Sequence, residues 1–176
     1  MRIIAGKYKG RKLASLKGDA TRPTLDRVRE NLFNILSGRV CGAKVLDLFS
    51  GTGAIGVEAL SRGASDVVFC DQSRDAVGVI RTNLKTVGEN RRVVCADYKQ
   101  CLRALGDEQF DLIYLDPPYG FEPDLAAISA HLSTGGLIIF ENSSEMDLNL
   151  PEKGFIIKDE RKYGVAKLTI LETENV

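Results

Sequence analysis

Histidine is almost missing from this sequence: His131 is the only one in 176 residues. A metal centre built on histidine ligands is therefore excluded, and His131 is expected on a helix away from the motifs, in a surface or structural role. The four cysteines, Cys41, Cys70, Cys95 and Cys101, lack the paired spacing of a zinc site. Cys70 and Cys95 fall inside apolar runs and read as small buried hydrophobes, in keeping with a reduced, cytoplasmic setting. No metal is expected. Net charge is also missing, since 24 Lys/Arg balance 24 Asp/Glu. No apolar run approaches the ~20 residues that cross a bilayer, and no signal peptide is read. Repeats, low-complexity segments and an interdomain linker are absent too. With 44% hydrophobic residues in 176, the expectation is one domain with an ample core, and a monomer.

The zero net charge hides an uneven distribution. Residues 1–30 hold nine Lys/Arg against three acids, an excess of six, so the remainder carries an equal acidic excess. A basic arm on an acidic body suits a nucleic-acid partner, because phosphate contacts dominate such affinity. Arg2, Lys7, Lys9, Arg11, Lys12, Arg22 and Arg27 are its candidate nucleic-acid contacts. Residues 1–40 are accordingly expected to form a basic β-hairpin and helix, and residues 41–176 the catalytic core.

Apolar periodicity then alternates between strand and helix. Short strands at 2–6 and 9–13 frame a turn, and Thr24 caps a helix to about Ser37 that turns Val28, Leu32, Phe33, Ile35 and Leu36 inward. Strands follow at 44–49, 66–71, 92–96, 111–115 and 136–141, with helices at 54–62, 73–87, 98–105 and 123–132 between them. A final antiparallel pair, near 154–162 and 165–172, turns at Gly164. Such alternation implies an α/β fold with a mostly parallel sheet and helices on both faces. The terminal antiparallel pair departs from the dinucleotide-binding pattern and resembles the Rossmann-like class I methyltransferase sheet, seven strands in the order 3-2-1-4-5-7-6.

Four strands end in an acid: Asp47, Asp71, Asp97 and Asp116. In a parallel sheet all four reach one edge, where α/β proteins bind ligands. After Asp47 come Phe49 and the glycines Gly51, Gly53 and Gly56, the spacing of a nucleotide-binding turn. A carboxylate at that strand end suits a cationic ligand better than a pyrophosphate, which calls for bare amides. S-adenosylmethionine, with its ammonium and sulfonium, fits. Asp71 lies about 20 residues after the glycines, where an acid binds ribose hydroxyls. Asp97 is placed to accept from an adenine amino group, with Gln72 or Tyr98 packing nearby. Asp116-Pro117-Pro118-Tyr119 is a stiff turn that presents a carboxylate, the Pro117 carbonyl and an aromatic face to one point. Two acceptors match an NH2 group, and a ring matches the base that bears it.

Together these residues resemble the bacterial 16S ribosomal RNA (guanine-N2)-methyltransferase family that acts on guanine 966. The more specific signals lie outside the shared core, in Arg2-Ile3-Ile4-Ala5-Gly6, Gly10-Arg11-Lys12-Leu13, Arg22-Pro23-Thr24, Asp26-Arg27-Val28-Arg29-Glu30 and Tyr163-Gly164. One departure is a short stretch between Tyr119 and Gly135. The resemblance implies methyl transfer from S-adenosylmethionine to a guanine in 16S ribosomal RNA, within the small subunit or an assembly intermediate. Asp116, Pro117 and Tyr119 would be the catalytic residues. Asp47, Phe49, Gly51, Gly53, Asp71, Gln72, Asp97 and Tyr98 would hold the cofactor. Adenine N6, cytosine N4 or a protein glutamine amide remain alternative acceptors, and a non-catalytic RNA-binding assembly factor or an NAD-dependent oxidoreductase alternative classes. Arg22 and Arg27 could contact RNA or close over the methionine end of the cofactor.

Overall fold

The protein is described by a computed structural model over residues 1–17, 23–118, 120–151 and 154–174. Seven strands form one sheet: β1 (Lys44–Asp47), β2 (Asp66–Asp71), β3 (Val93–Cys95), β4 (Phe110–Leu115), β5 (Leu132–Ser143), β6 (Phe155–Tyr163) and β7 (Ala166–Thr173). Among the described residues five helices accompany them: α1 (Pro23–Ile35), α2 (Ala54–Ser61), α3 (Arg74–Val87), α4 (Tyr98–Leu105) and α5 (Leu125–Ser129). The strand order is β3-β2-β1-β4-β5-β7-β6, with β1 to β5 parallel. Only β7 runs against its neighbours β5 and β6. This is the Rossmann-like methyltransferase sheet expected from the sequence.

The central strands are apolar at nearly every position because helices cover both faces. Alternation sorts their side chains into two cores. Val45, Val67, Phe69 and Leu112 share one with α1, α2, α3 and the N-terminal segment. Leu46, Val68, Ile113 and Phe140 share the other with α4 and α5. Each such side chain, when fully buried, contributes about 1.5–3 kcal/mol. Helix α2 lies so close to the sheet that a Cβ on Gly56 would come within 2.2 Å of the Phe69 ring. Glycine there is a packing requirement. Ser73 caps α3 and Asp97 caps α4, which fixes the loops at the carboxyl ends of β2 and β3.

Several expectations need correction. The helix placed at 123–132 shrinks to α5, capped by Asp124, because Leu132 already pairs with Phe110 as the first residue of β5. His131 is therefore off the helix and buried, its Nδ1 2.9 Å from the Glu108 carbonyl oxygen. Cys95 is exposed while Cys70 is buried, since the three-residue β3 is an edge strand with partly open faces. Helix α1 begins at Pro23, so Thr24 lies inside it rather than capping it; Val28, Leu32, Phe33 and Leu36 are buried as expected, and Ile35 is half-buried.

The N-terminal hairpin differs most. Its two strands reduce to one antiparallel bridge, Arg2 with Lys12. The segment bonds to the helices more than to itself. The amides of Ile4 and Ala5 donate to the Glu58 carboxylate at 2.8 and 3.0 Å, and the Lys7 amide donates to the Ser61 carbonyl at 2.8 Å. A Cβ on Gly6 would sit 1.8 Å from that carbonyl. Asn83 of α3 completes the seam, accepting from the Ala14 amide at 2.7 Å and donating to the Thr52 carbonyl at 2.9 Å. With Ile3 and Leu13 also buried, the arm is part of the folded core.

Candidate active site

The carboxyl ends of β1 to β4 open onto a cavity of about 1130 Å³. Asp47, Asp71, Asp97 and Asp116 all line it, as strand register requires: Asp47 sits beside Phe69 of β2 and Tyr114 of β4. Phe49, Gly51, Gln72, Tyr98 and Pro117 line it too. Gly53 does not reach it, serving instead as the left-handed residue that starts α2 at φ 75°. Tyr119 lies outside the described residues.

On the glycine-loop wall, backbone amides meet the acids. Asp71 accepts from Gly51 and from Ser73, both at 2.8 Å. Asp97 accepts from Gln100 at 3.0 Å. Asp47 is different. Its Oδ2 accepts from Gly56 at 3.1 Å, while its buried Oδ1 has no partner. Burial first, then the nearby Asp71 charge, pushes its pKa up to about 7 against the opposing Gly56 hydrogen bond. Beside this wall, Phe49, Tyr98 and Phe121 meet pairwise at ring-centroid distances of 5.6, 5.5 and 5.4 Å. Together they form an apolar margin for a flat ring.

The opposite wall, on β4 and β5, holds acids to which no amide among the described residues donates. Tyr114 donates its hydroxyl to Glu141, and both are buried. Asp116 opens to solvent at the cavity mouth, yet neighbouring protein crowds its carboxyl. Burial, then the charges of Glu141 and Asp47, hold its pKa well above the usual carboxylate range. Glu141 is raised by burial, with the Tyr114 hydrogen bond opposing. The carboxyls of this wall are therefore easier to protonate than an ordinary carboxylate.

Glu141, Tyr114 and Phe121 also line the cavity and were not singled out from the sequence; Asp26 and Arg29 line it too, and were marked only as part of a family signal, with no site role. A polar residue ending an apolar strand, as in Phe140-Glu141, is the one signal that could have marked Glu141. By contrast, none of Arg2, Lys7, Lys9, Arg11, Lys12 and Arg27 lines the cavity, and Arg22 lies outside the described residues. Lys7 pairs with Glu89 at 2.9 Å, Arg11 donates to the Thr86 carbonyl at 2.8 Å, and Arg2 donates to the Gly10 carbonyl at 3.0 Å. Thr86 and Glu89 lie at the far end of α3, whose first turn follows the cavity loop. Fourteen residues of helix separate the two ends by roughly 20 Å. Lys9, Lys12 and Arg27 are exposed. Among the described residues, no group of three or more His, Cys, Asp or Glu could hold a metal ion, and no helix is long and apolar enough to cross a membrane.

Comparison with known proteins is consistent across sequence and structure. The family described as "Conserved hypothetical protein 95" matches residues 1–172. The ribosomal RNA small subunit methyltransferase D of Haemophilus influenzae is 35% identical over 168 residues, covering 90% of this chain and 87% of that protein. Among solved structures, yhhF of Escherichia coli superposes with a TM-score of 0.86 at 32% identity, over 99% of this chain and 98% of its own. Protein TTHA0928 of Thermus thermophilus gives 0.81 at 30% identity, over 98% and 99%.

Proposed function

Because the chain belongs to the conserved hypothetical protein 95 family, we propose that it is an S-adenosylmethionine-dependent ribosomal RNA methyltransferase whose acceptor is the exocyclic N2 of guanine 966 in 16S RNA. The substrate in this reading is the small subunit or an assembly intermediate. One observation supports it above the others: Asp116-Pro117-Pro118 at the end of β4 lines the same cavity as Asp47, Gly51 and Asp71.

The residues present fit the cofactor. The unpartnered Asp47 Oδ1 is a buried acceptor in need of a cation. Asp71, half-buried at the cavity wall, has carboxylate lone pairs for ribose hydroxyls beyond the two amides it already meets. Asp97 offers an acceptor for an adenine amino group, and Phe49, Tyr98 and Phe121 offer it an aromatic margin, with Gln72 alongside. When bound, S-adenosylmethionine supplies an electrophilic methyl group.

The chain's own residues do the rest. Asp116 and the Pro117 carbonyl accept the two N–H bonds of the target amine, which frees its lone pair from the ring and orients it. Positioning of this kind contributes roughly 7–11 kcal/mol in well-held systems. Tyr119 stacks on the base, worth about 1–3 kcal/mol. As the new N–C bond forms the amine becomes cationic and acidic, and Asp116 takes its proton, a role suited to a carboxyl held above its ordinary range. A base in structured RNA must first leave its stack, at a cost of a few kcal/mol. Exposed Lys9, Lys12 and Arg27, with Arg2, Lys7, Arg11 and Arg22, hold phosphates away from the reacting base, giving affinity without sequence readout.

The test is methyl transfer from labelled S-adenosylmethionine to unmodified small subunits, with free 16S RNA and DNA in parallel and nuclease digestion of the product. N2-methylguanosine at one position is the expected result. Methyladenosine or methylcytidine would move the acceptor, and absence of transfer on every substrate would sink the enzymatic reading.

A further inference from the structure

Glu141 is a buried carboxyl that the proposed reaction does not use. It lies near the end of β5, lines the cavity and is 8% exposed. The Tyr114 hydroxyl donates to its Oε2. Among the described residues no other group donates to this carboxyl, which leaves Oε1 an acceptor without a partner at the cavity wall. A buried acceptor left unmatched is costly, so it asks for a donor from the ligand.

Sheet register fixes where that donor would sit. Strands β4 and β5 are parallel, with Leu115 beside Phe140. One residue further on, Asp116 and Glu141 follow on chains about 5 Å apart. The alternation that brings the Tyr114 hydroxyl to Glu141 also carries Asp116, two residues after Tyr114, to that face. The Glu141 charge is one of the causes that raise Asp116, so each carboxyl lies in the electrostatic reach of the other. Pro117 comes next in the chain and lines the same cavity. The ends of β4 and β5 therefore present the two acceptors proposed for the amine, with a third beside them.

Three such acceptors match one base. In guanine the exocyclic amine adjoins a ring N–H at N1. In adenine and cytosine it adjoins a bare ring nitrogen, itself an acceptor, which would face Glu141 with no proton between them. We infer that Glu141 reads the base: its Oε1 accepts the N1–H of guanine while Asp116 and the Pro117 carbonyl hold the N2 amine, so that guanine is admitted and adenine and cytosine are refused. The inference rests on the methyltransferase reading and deepens it by naming the residue that selects the acceptor. Tyr114 is the positioning residue. Its hydroxyl occupies Oε2, and its hydrogen bond favours the ionised carboxylate against the burial that raises it. An ionised carboxylate only accepts, which turns a preference into a refusal.

Methyl transfer to small subunits reconstituted with guanosine or 2-aminopurine riboside at the target position tests it, in the native protein and in Glu141→Gln. 2-Aminopurine keeps the 2-amino group and lacks the N1–H. The native protein should favour guanosine by at least about 100-fold in kcat/KM, as a site built to bond an N–H rejects the analogue without it. In Glu141→Gln, with Tyr114 still donating to the side-chain oxygen, the amide NH2 faces the base as a donor. The ratio of guanosine to 2-aminopurine should then fall by about 100-fold. An equal loss on both bases, with the ratio unchanged, marks a structural role and overturns the assignment. So does a native protein that methylates the two bases equally. Should Glu141→Gln fail to fold, the native comparison decides alone. In each of these overturning outcomes N2-methylguanosine still forms and the enzyme reading stands; transfer to neither base by the native protein overturns both.

Discussion

The two walls of the cavity handle negative charge in opposite ways. On the glycine-loop wall, Asp71 and Asp97 are met by the amides of Gly51, Ser73 and Gln100. Across from it, no amide among the described residues donates to Asp116 or Glu141; the Tyr114 hydroxyl donates to Glu141, and both acids are pushed above their ordinary range. One wall answers its charges with amides, and the other leaves its carboxyls easier to protonate. Asp47 stands between, half amide-bonded and half orphaned. In the proposed reaction the first wall serves the cofactor and the second the amine.

The sharpest way to break the comparison is Asp116→Ala. It should lower the transfer rate about 1000-fold while leaving the affinity for S-adenosylhomocysteine unchanged in calorimetry. Equal loss of both would merge the two walls into one function. Asp47→Asn should do the reverse of this, weakening S-adenosylhomocysteine about 10- to 100-fold. The same change should stabilise the ligand-free protein in alkaline solution. Because the folded pKa of Asp47 is raised to about 7, its ionisation opposes folding, and stability is lost as pH rises from the unfolded carboxylate range through that value. The loss is roughly 4 kcal/mol at its limit. Chemical denaturation at acid and alkaline pH reads it, and an identical pH dependence in the variant would remove Asp47 as its cause.

A subtler test uses pH. If Asp116 must be ionised to accept the amine's protons, kcat/KM should rise with pH through a limb above the ordinary carboxylate range. Glu141→Gln should move that limb to lower pH, since the Glu141 charge is one of the causes that raise Asp116. A limb that stays in place would leave Glu141 a structural partner of Tyr114 only. The smallest effect is expected farthest from either wall. Charge reversal at Lys9 and Lys12 should raise the KM for RNA by about threefold to tenfold. It should also flatten the slope of log KM against log salt by about one for each phosphate no longer held, with kcat unchanged.

How much of this was legible in the sequence follows from the same contrast. Asp47, Asp71, Asp97 and Asp116 each close an apolar run, so strand periodicity alone brings them to one edge. Gly51, Gly53 and Gly56 announce a turn by their spacing. The second wall gives no such signal. Tyr114 reads as one more large residue of a buried strand, and Glu141 meets it only because β4 and β5 pair in a particular register. Arg29 is one charge among several on α1, and its burial depends on where that helix docks. Phe121 reaches the aromatic trio through a turn in which its amide meets the Pro118 carbonyl at 3.1 Å. The basic arm is legible only as composition: charge excess does not show that the side chains of Lys7 and Arg11 also bond to α3 and its C-terminal turn.

Arg29 lines the cavity and also donates through Nη2 to the Arg2 carbonyl, which links a ligand in the cavity to the start of the chain. One guanidinium would touch the ligand with one edge and the N-terminal segment with another. Thermodynamic reciprocity then applies: whatever free energy the ligand gains from a settled N-terminus, the N-terminus gains from the ligand. The first residues of the chain would be held most firmly when the methyl donor is in place, so that RNA is gripped by a loaded enzyme in preference to an empty one.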